Sequence, residues 1–263
     1  MASDQFGPPN KTAQSNYAQL CRLLVDCGCH ALRVTFDNIH PPGELYTVLS
    51  SVSVQATLKV LFKKEILNPA QWVMLYPVIP SSVSSATFDP TLLMVLLRSI
   101  CHLKSPAKGW DNFPSSTDKN IEDDIARINW YRNALAHQTA LDCGSFGKYF
   151  QDICGILMRL GLASCGTTID ELESSRMDPD IEAHYQGLLR QWQREEDDIK
   201  KKLWQMGVEI DNLIEKIHHG GNFSMVRAVT NNTAGGNFQA WKKLKCRLFL
   251  QDRFPFTVQV RDN

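Results

Sequence analysis

The chain has 263 residues, 43% of them hydrophobic, with 28 lysines and arginines set against 28 aspartates and glutamates. That length fits one medium domain with an extension and a real core, while zero formal charge excludes the overall basic excess of a strong nonspecific nucleic-acid binder, so any RNA site has to be local. Eight cysteines are spread without a Cys-x-x-Cys pair, and neither a signal peptide nor a membrane-length apolar run is present, which points to a reducing, cytoplasmic setting without membrane attachment. The sequons at Asn10, Asn222 and Asn231 carry no weight in that setting.

Met1 to Gln14, with Gly and two prolines, reads as a mobile leader. A helix is expected from Ser15, with Tyr17, Leu20, Leu24, Ala31 and Leu32 on its apolar face and Pro41-Pro42 as its stop. Within it, Cys27-Gly-Cys29-His30 lacks zinc spacing and reads as helix-face cysteines. Val54 to Ile66 forms a second helix, with Leu58, Leu61 and Phe62 inward and Lys59, Lys63 and Lys64 outward. Asn68-Pro69 and Asp89-Pro90 each pair a capping side chain with proline at the first helical position. The first opens a brief helix that carries Trp72 as a core anchor; the second opens Thr91 to Arg98, apolar enough to lie inside a bundle.

Lys104 to Ser116 is expected to loop across the bundle end, and Thr117 or Asp118 to cap the next helix, whose acids Glu122, Asp123 and Asp124 complement its positive N-terminal dipole. On that helix Ile121, Ile125, Ile128 and Leu135 share one stripe with Arg132, while Asn133 and His137 project from another face beside Trp130. A guanidinium on a core stripe must be paired or reach an edge. Phe146 to Leu162 closes the bundle, and Gly161 and Gly166 loosen the chain after it.

Asp178-Pro179 opens the most regular pattern: Ile181, Tyr185, Leu188, Trp192, Ile199, Leu203, Met206, Ile210, Leu213 and Ile217, with Glu195 in one seam position and a stutter between Ile199 and Leu203. The seam fits a single long helix laid back on the bundle and equally an intermolecular coiled coil. His218-His-Gly-Gly ends it, and a Gly- and Asn-rich, then basic, remainder follows. The expected organisation is therefore all-α: a leader at 1–14, an antiparallel helical bundle at 15–165, a linker and long coiled-coil-like helix at 166–219, and at 220–263 a tail or the start of a further region.

The run Arg132-Asn133-x-x-x-His137 resembles the signature of the HEPN family of compact helical domains. Leu67 to Pro77, Phe88 to Arg98 and Gly109 to Pro114 resemble one animal branch of it, found in a DAZ-interacting zinc-finger E3 ubiquitin ligase and in invertebrate immune-type multidomain NTPases. The resemblance covers roughly residues 15 to 200. It implies a metal-independent endoribonuclease without cofactor, in which the ribose 2′-hydroxyl cleaves single-stranded RNA. His137 would move protons, Arg132 stabilise the phosphorane and Asn133 orient phosphate or histidine. Arg132 and His137 point about 140° apart on a straight helix, so the resemblance also implies a homodimer whose two motifs line one cleft.

The residues fit a second reading, a noncatalytic dimerisation or adaptor module, which the resemblance would place beside ubiquitin-ligase or innate-immune NTPase domains. There Arg132 pairs with an acid such as Asp124 or Asp142, His137 merely ends a helix, and protein partners are met through the long helix. No Walker loop, dinucleotide turn, nucleophile elbow or zinc-ligase cysteine pattern supports another enzyme class.

Overall fold

A computed structural model describes residues 10–162 and 177–218, and the regular structure among them is all helical. Residues 1–9 of the expected leader, most of the expected linker and the whole tail at 220–263 lie outside the described residues. The first helix, α1 (Asn10–Leu23), begins before the expected Ser15. Residues 10–14 contain neither Gly nor Pro, so nothing after Pro9 interrupts the helix.

A π-helical turn at Leu24–Gly28 carries α1 into α2 (Cys29–Ile39). The wider turn brings Leu24, Cys27 and Gly28 onto the core side together. Tyr17, Leu20, Leu24, Ala31 and Leu32 are all buried, as their spacing predicts. Cys27 and Cys29 are buried and His30 is exposed, which places the two thiols in the core and the imidazole at the surface.

Helices α3 (Leu45–Ser50) and α4 (Val52–Lys63) follow, with Leu58 and Leu61 buried and Lys59 and Lys63 exposed. In α5 (Pro69–Leu75) the Asn68 side chain accepts from the Gln71 amide at 2.9 Å and the Gln71 side chain accepts from the Asn68 amide at 3.1 Å. Gln71 Nε2 then donates to Asp89, whose Oδ1 caps α6 (Pro90–Ser99) by accepting from Leu92 N at 2.7 Å. Two proline-marked starts are thus tied into one junction. Trp72 is half-buried, stacked between Phe62 and Tyr76 rather than sunk in the core. Thr91 to Ser99 are all buried, so α6 is the central helix.

The loop after α6 folds Trp110 into the core before α7 (Ile121–Ala136). The cap of α7 is Asn120, not Thr117 or Asp118. Asn120 N donates to Asp123 at 3.1 Å, while Asp118 accepts from Ser115 N and folds the loop. Ile121, expected on the core stripe, is exposed because it occupies the first helical position, short of the packed region. Helix α8 (Cys143–Arg159) starts where Asp142 accepts from Ser145 N at 3.0 Å, and Gly161, at φ +97°, supplies the left-handed residue after its end.

The last helix, α9 (Pro179–His218), has 40 residues and, at 1.5 Å per residue, is about 60 Å long. It lies on the bundle against α1, the π turn, α6 and α7. Leu189, Trp192, Ile199, Leu203 and Met206 join the same core cluster as α6 and α7, so the core does not close at Leu162. The buried seam runs Leu189, Trp192, Glu196, Ile199, Leu203, Met206 in unbroken steps of three and four, with Leu188 only half-buried and Glu195 exposed. The expected stutter vanishes once the seam passes through Leu189 and Glu196 instead of Leu188 and Glu195.

Candidate functional site

Helix α7 has no polar face at its middle: Arg127, Asn129 and Arg132 are buried along with Ile125, Ile128, Tyr131 and Leu135. Each buried polar group there must find a partner inside the protein. Arg127 Nη1 pairs with Asp124 Oδ1 at 2.8 Å, and its Nη2 donates to the Ser115 and Asp118 carbonyls, pinning the preceding loop to the helix. Asp124 also accepts from Arg159 of α8, at 2.7 Å from Nε and 2.6 Å from Nη2.

Arg132 is fully buried, at 0% exposure. Its Nη2 donates to Asn129 Oδ1, one turn back, and Asn129 in turn donates to the Trp110 carbonyl at 3.2 Å. Asn133 Oδ1 accepts from Arg132 Nε at 3.2 Å and from Nη2 at 2.6 Å. The counter-charge comes from α9: Glu196 Oε2 lies 3.5 Å from Arg132 Nη1, and Glu196 Oε1 accepts from Arg98 Nη1 of α6 at 3.0 Å. All three charged side chains are at most 1% exposed. The Trp192 ring covers Arg132 at 5.0 Å and the Trp110 ring covers Arg98 at 5.3 Å.

Burial by itself raises the Glu196 pKa, but Arg98, Arg132 and Lys200, in that order, outweigh it and hold the carboxyl at about 2. Burial pulls Arg132 below its ordinary value, with Glu196 opposing; an arginine nevertheless stays protonated near neutral pH. The cluster therefore persists as an Arg98–Glu196–Arg132 ion triad, sealed where α6, α7 and α9 meet. Removing one member of such a triad strands the others in the core, at a cost of about 3–5 kcal/mol.

The partners expected for Arg132 are thus replaced. Asp124 serves Arg127 and Arg159, and Asp142 caps α8. His137 is exposed and sits just past the last residue of α7, with φ −94° and ψ 4°. The structure joins Arg132 to Asn133; among the described residues no hydrogen bond links His137 to either. Trp130 is half-buried against Phe113, at 4.8 Å between ring centroids.

Sequence reasoning missed Arg98, Asn129 and Glu196. The available signal for Glu196 was its heptad position, four after Trp192 and three before Ile199. Among the described residues no cluster of His, Cys, Asp and Glu could hold a metal ion, and no helix is long and apolar enough to cross a membrane.

The comparisons with known proteins point the same way as the fold. Over residues 42–185, more than half of the chain, the sequence matches the DZIP3/hRUL138-like HEPN family. It is 26% identical over 187 residues to the mouse E3 ubiquitin-protein ligase DZIP3, covering 65% of this chain and 14% of that protein. Against the human E3 ubiquitin-protein ligase DZIP3 it is 26% identical over 160 residues, 59% of this chain and 13% of that protein. The chain therefore spans about one-seventh of the length of these relatives, and no solved structure matches it. Arg98 and Arg132 fall inside the matched segment, whereas Glu196 lies beyond it. An all-helical bundle with the Arg132-Asn133-x-x-x-His137 run across the end of its α7 and a family match over 42–185 place this chain in the DZIP3/hRUL138-like HEPN family.

Proposed function

We propose that this HEPN-type domain is a noncatalytic protein-assembly module, in which the motif arginine anchors the long helix to the bundle instead of handling substrate. The observation that carries this reading is the 0% exposure of Arg132, with its guanidinium engaged by Asn129, Asn133 and Glu196 under the Trp192 ring. A catalytic arginine has to meet the charge that develops on the phosphate, and here a carboxylate of the same chain occupies that position. The module's partner is another protein, a second copy of this chain first, in a cytoplasmic setting consistent with the free cysteines. Trp204, 64% exposed, and Val208, four residues on, offer the apolar contact on the outer side of α9. By analogy with the E3 ubiquitin-protein ligases it resembles, the module serves as an accessory domain in ubiquitin-ligase assemblies.

The endoribonuclease reading draws on His137, which is exposed, and on Asn133, which is half-buried beside Arg132. One experiment separates the two. Purified protein is incubated with single-stranded RNA in EDTA, and the melting of wild type, Arg132→Ala and His137→Ala is followed in parallel. The assembly reading expects intact RNA, a loss of about 3–5 kcal/mol for Arg132→Ala and near-native melting for His137→Ala. Cleavage that disappears in His137→Ala would restore the nuclease.

A further inference from the structure

Tyr46, Val52, Val73, Val78 and Ile79 are half of the large apolar side chains left exposed among the described residues, and all of them fall on α3, α4, α5 and the loop that follows. This stretch is tied together by its rings. Phe62 of α4 stacks on Trp72 of α5 at 4.7 Å between ring centroids, and Trp72 on Tyr76 at 4.6 Å. Tyr76 Oη donates to the Leu49 carbonyl at 3.1 Å, which joins the end of α5 to the corner between α3 and α4. Pro77 and Pro80 bracket Val78 and Ile79, and Ile79 is extended, at φ −99° and ψ 103°. Two β-branched side chains, 99% and 65% exposed, therefore stand on a pre-set backbone that loses little freedom on binding. Exposed apolar area beside half-buried Trp and Tyr has the make-up of a protein contact surface.

The rim sets the sign of the partner. Lys59 and Lys63 are exposed, one turn apart on α4, on the side that carries Phe62. Neither makes an ion pair among the described residues, whereas neighbouring Lys64 is taken by Glu209 of α9 at 2.8 Å and Glu65 lies 4.0 Å from Lys202. A second copy seated on the same face would set lysines against lysines. Two free lysines also fall short of the roughly four to eight basic groups that hold a protein on an anionic bilayer. Trp72 is stacked between two rings, which leaves it no open face for a nucleic-acid base.

From these observations we infer that the face built by α3, α4 and α5 is a docking surface for an acidic amphipathic segment of a partner protein, whose apolar side chains cover Val73, Val78 and Ile79 and whose carboxylates meet Lys59 and Lys63. Acids three or four residues apart on a helical segment match lysines one turn apart. The surface lies on different helices from Trp204 and Val208, so it does not depend on how chains pair through α9 or on whether RNA is cut.

Selection of displayed random peptides of about 16 residues against the full chain tests it. Enriched peptides should combine apolar anchors with Asp or Glu. The strongest should lose at least about tenfold in affinity against Lys59→Glu/Lys63→Glu and against Val78→Ser/Ile79→Ser. All of these positions are exposed, so both variants should melt like wild type. If one variant does not fold, the other still decides. Failure to enrich any peptide, enrichment of anchors without acids, or an affinity that either folded variant leaves unchanged overturns the inference. So does binding to phosphatidylserine vesicles or single-stranded RNA, or a dimer seen in sedimentation, that either pair of substitutions abolishes.

Discussion

Two clusters in this molecule place a pair of arginines around one carboxylate, and they differ in how they are built. Asp124, Arg127 and Arg159 join neighbouring turns of α7 to the end of α8, and Arg159 is 36% exposed. Arg98, Glu196 and Arg132 join three helices distant in sequence, and none is more than 1% exposed. Water screens part of the first cluster and reaches none of the second. Similar chemistry thus staples a loop and a helix end in one place and fixes a 40-residue helix to the core in the other.

The largest effect that would test this contrast is expected from Glu196→Ala, which strands two buried guanidiniums and should lose about 3–5 kcal/mol in denaturant melting. A loss below about 1 kcal/mol would mean that the triad does not hold α9. Leu189→Ala should cost about 2–5 kcal/mol and Leu188→Ala distinctly less, since only Leu189 is fully buried in the seam. Equal losses would return the seam to the stuttered register. Arg159→Ala should change stability by no more than about 1 kcal/mol, because half of that pair meets solvent and Arg127 still serves Asp124.

Acid should distinguish the clusters too. Glu196 is depressed from 4.5 to about 2 on folding, so the stability it supplies is complete above the unfolded value and is lost as pH falls from there through about 2. Melting midpoints followed from neutral pH downward should show a drop in that window that Glu196→Gln lacks. A wild type and variant that decline in parallel would contradict the triad's charged state.

Much of the fold was legible because its signals are local. Asn68-Pro69 and Asp89-Pro90 start helices through their own side chains and ring constraint, and the apolar run from Thr91 onward cannot face water. The burial of Arg132 was legible from its place on the α7 stripe. Its partner was not. A hydrophobic pattern does not tell Leu188 from its neighbour Leu189 or Glu195 from Glu196, so Leu188 and Glu195 took the places of Leu189 and Glu196 and a stutter was needed to join the halves. Only the arrival of Arg98 and Arg132 at the same point makes a charge there affordable, and that convergence depends on tertiary packing across about 100 residues. The start of α7 escaped for a smaller reason: Thr117, Asp118 and Asn120 are all good capping types, and the loop used the earlier ones for itself.

The most direct measurement of whether Arg132 is an anchor is a double-mutant cycle in which Arg132→Met, Glu196→Met and the double variant are melted in denaturant. If the two side chains depend on each other inside the core, each single change is strongly destabilising, the double change costs much less than their sum, and the coupling exceeds about 1.5 kcal/mol. Additive losses, with coupling within about 0.5 kcal/mol of zero, would contradict the account and free Arg132 for another role.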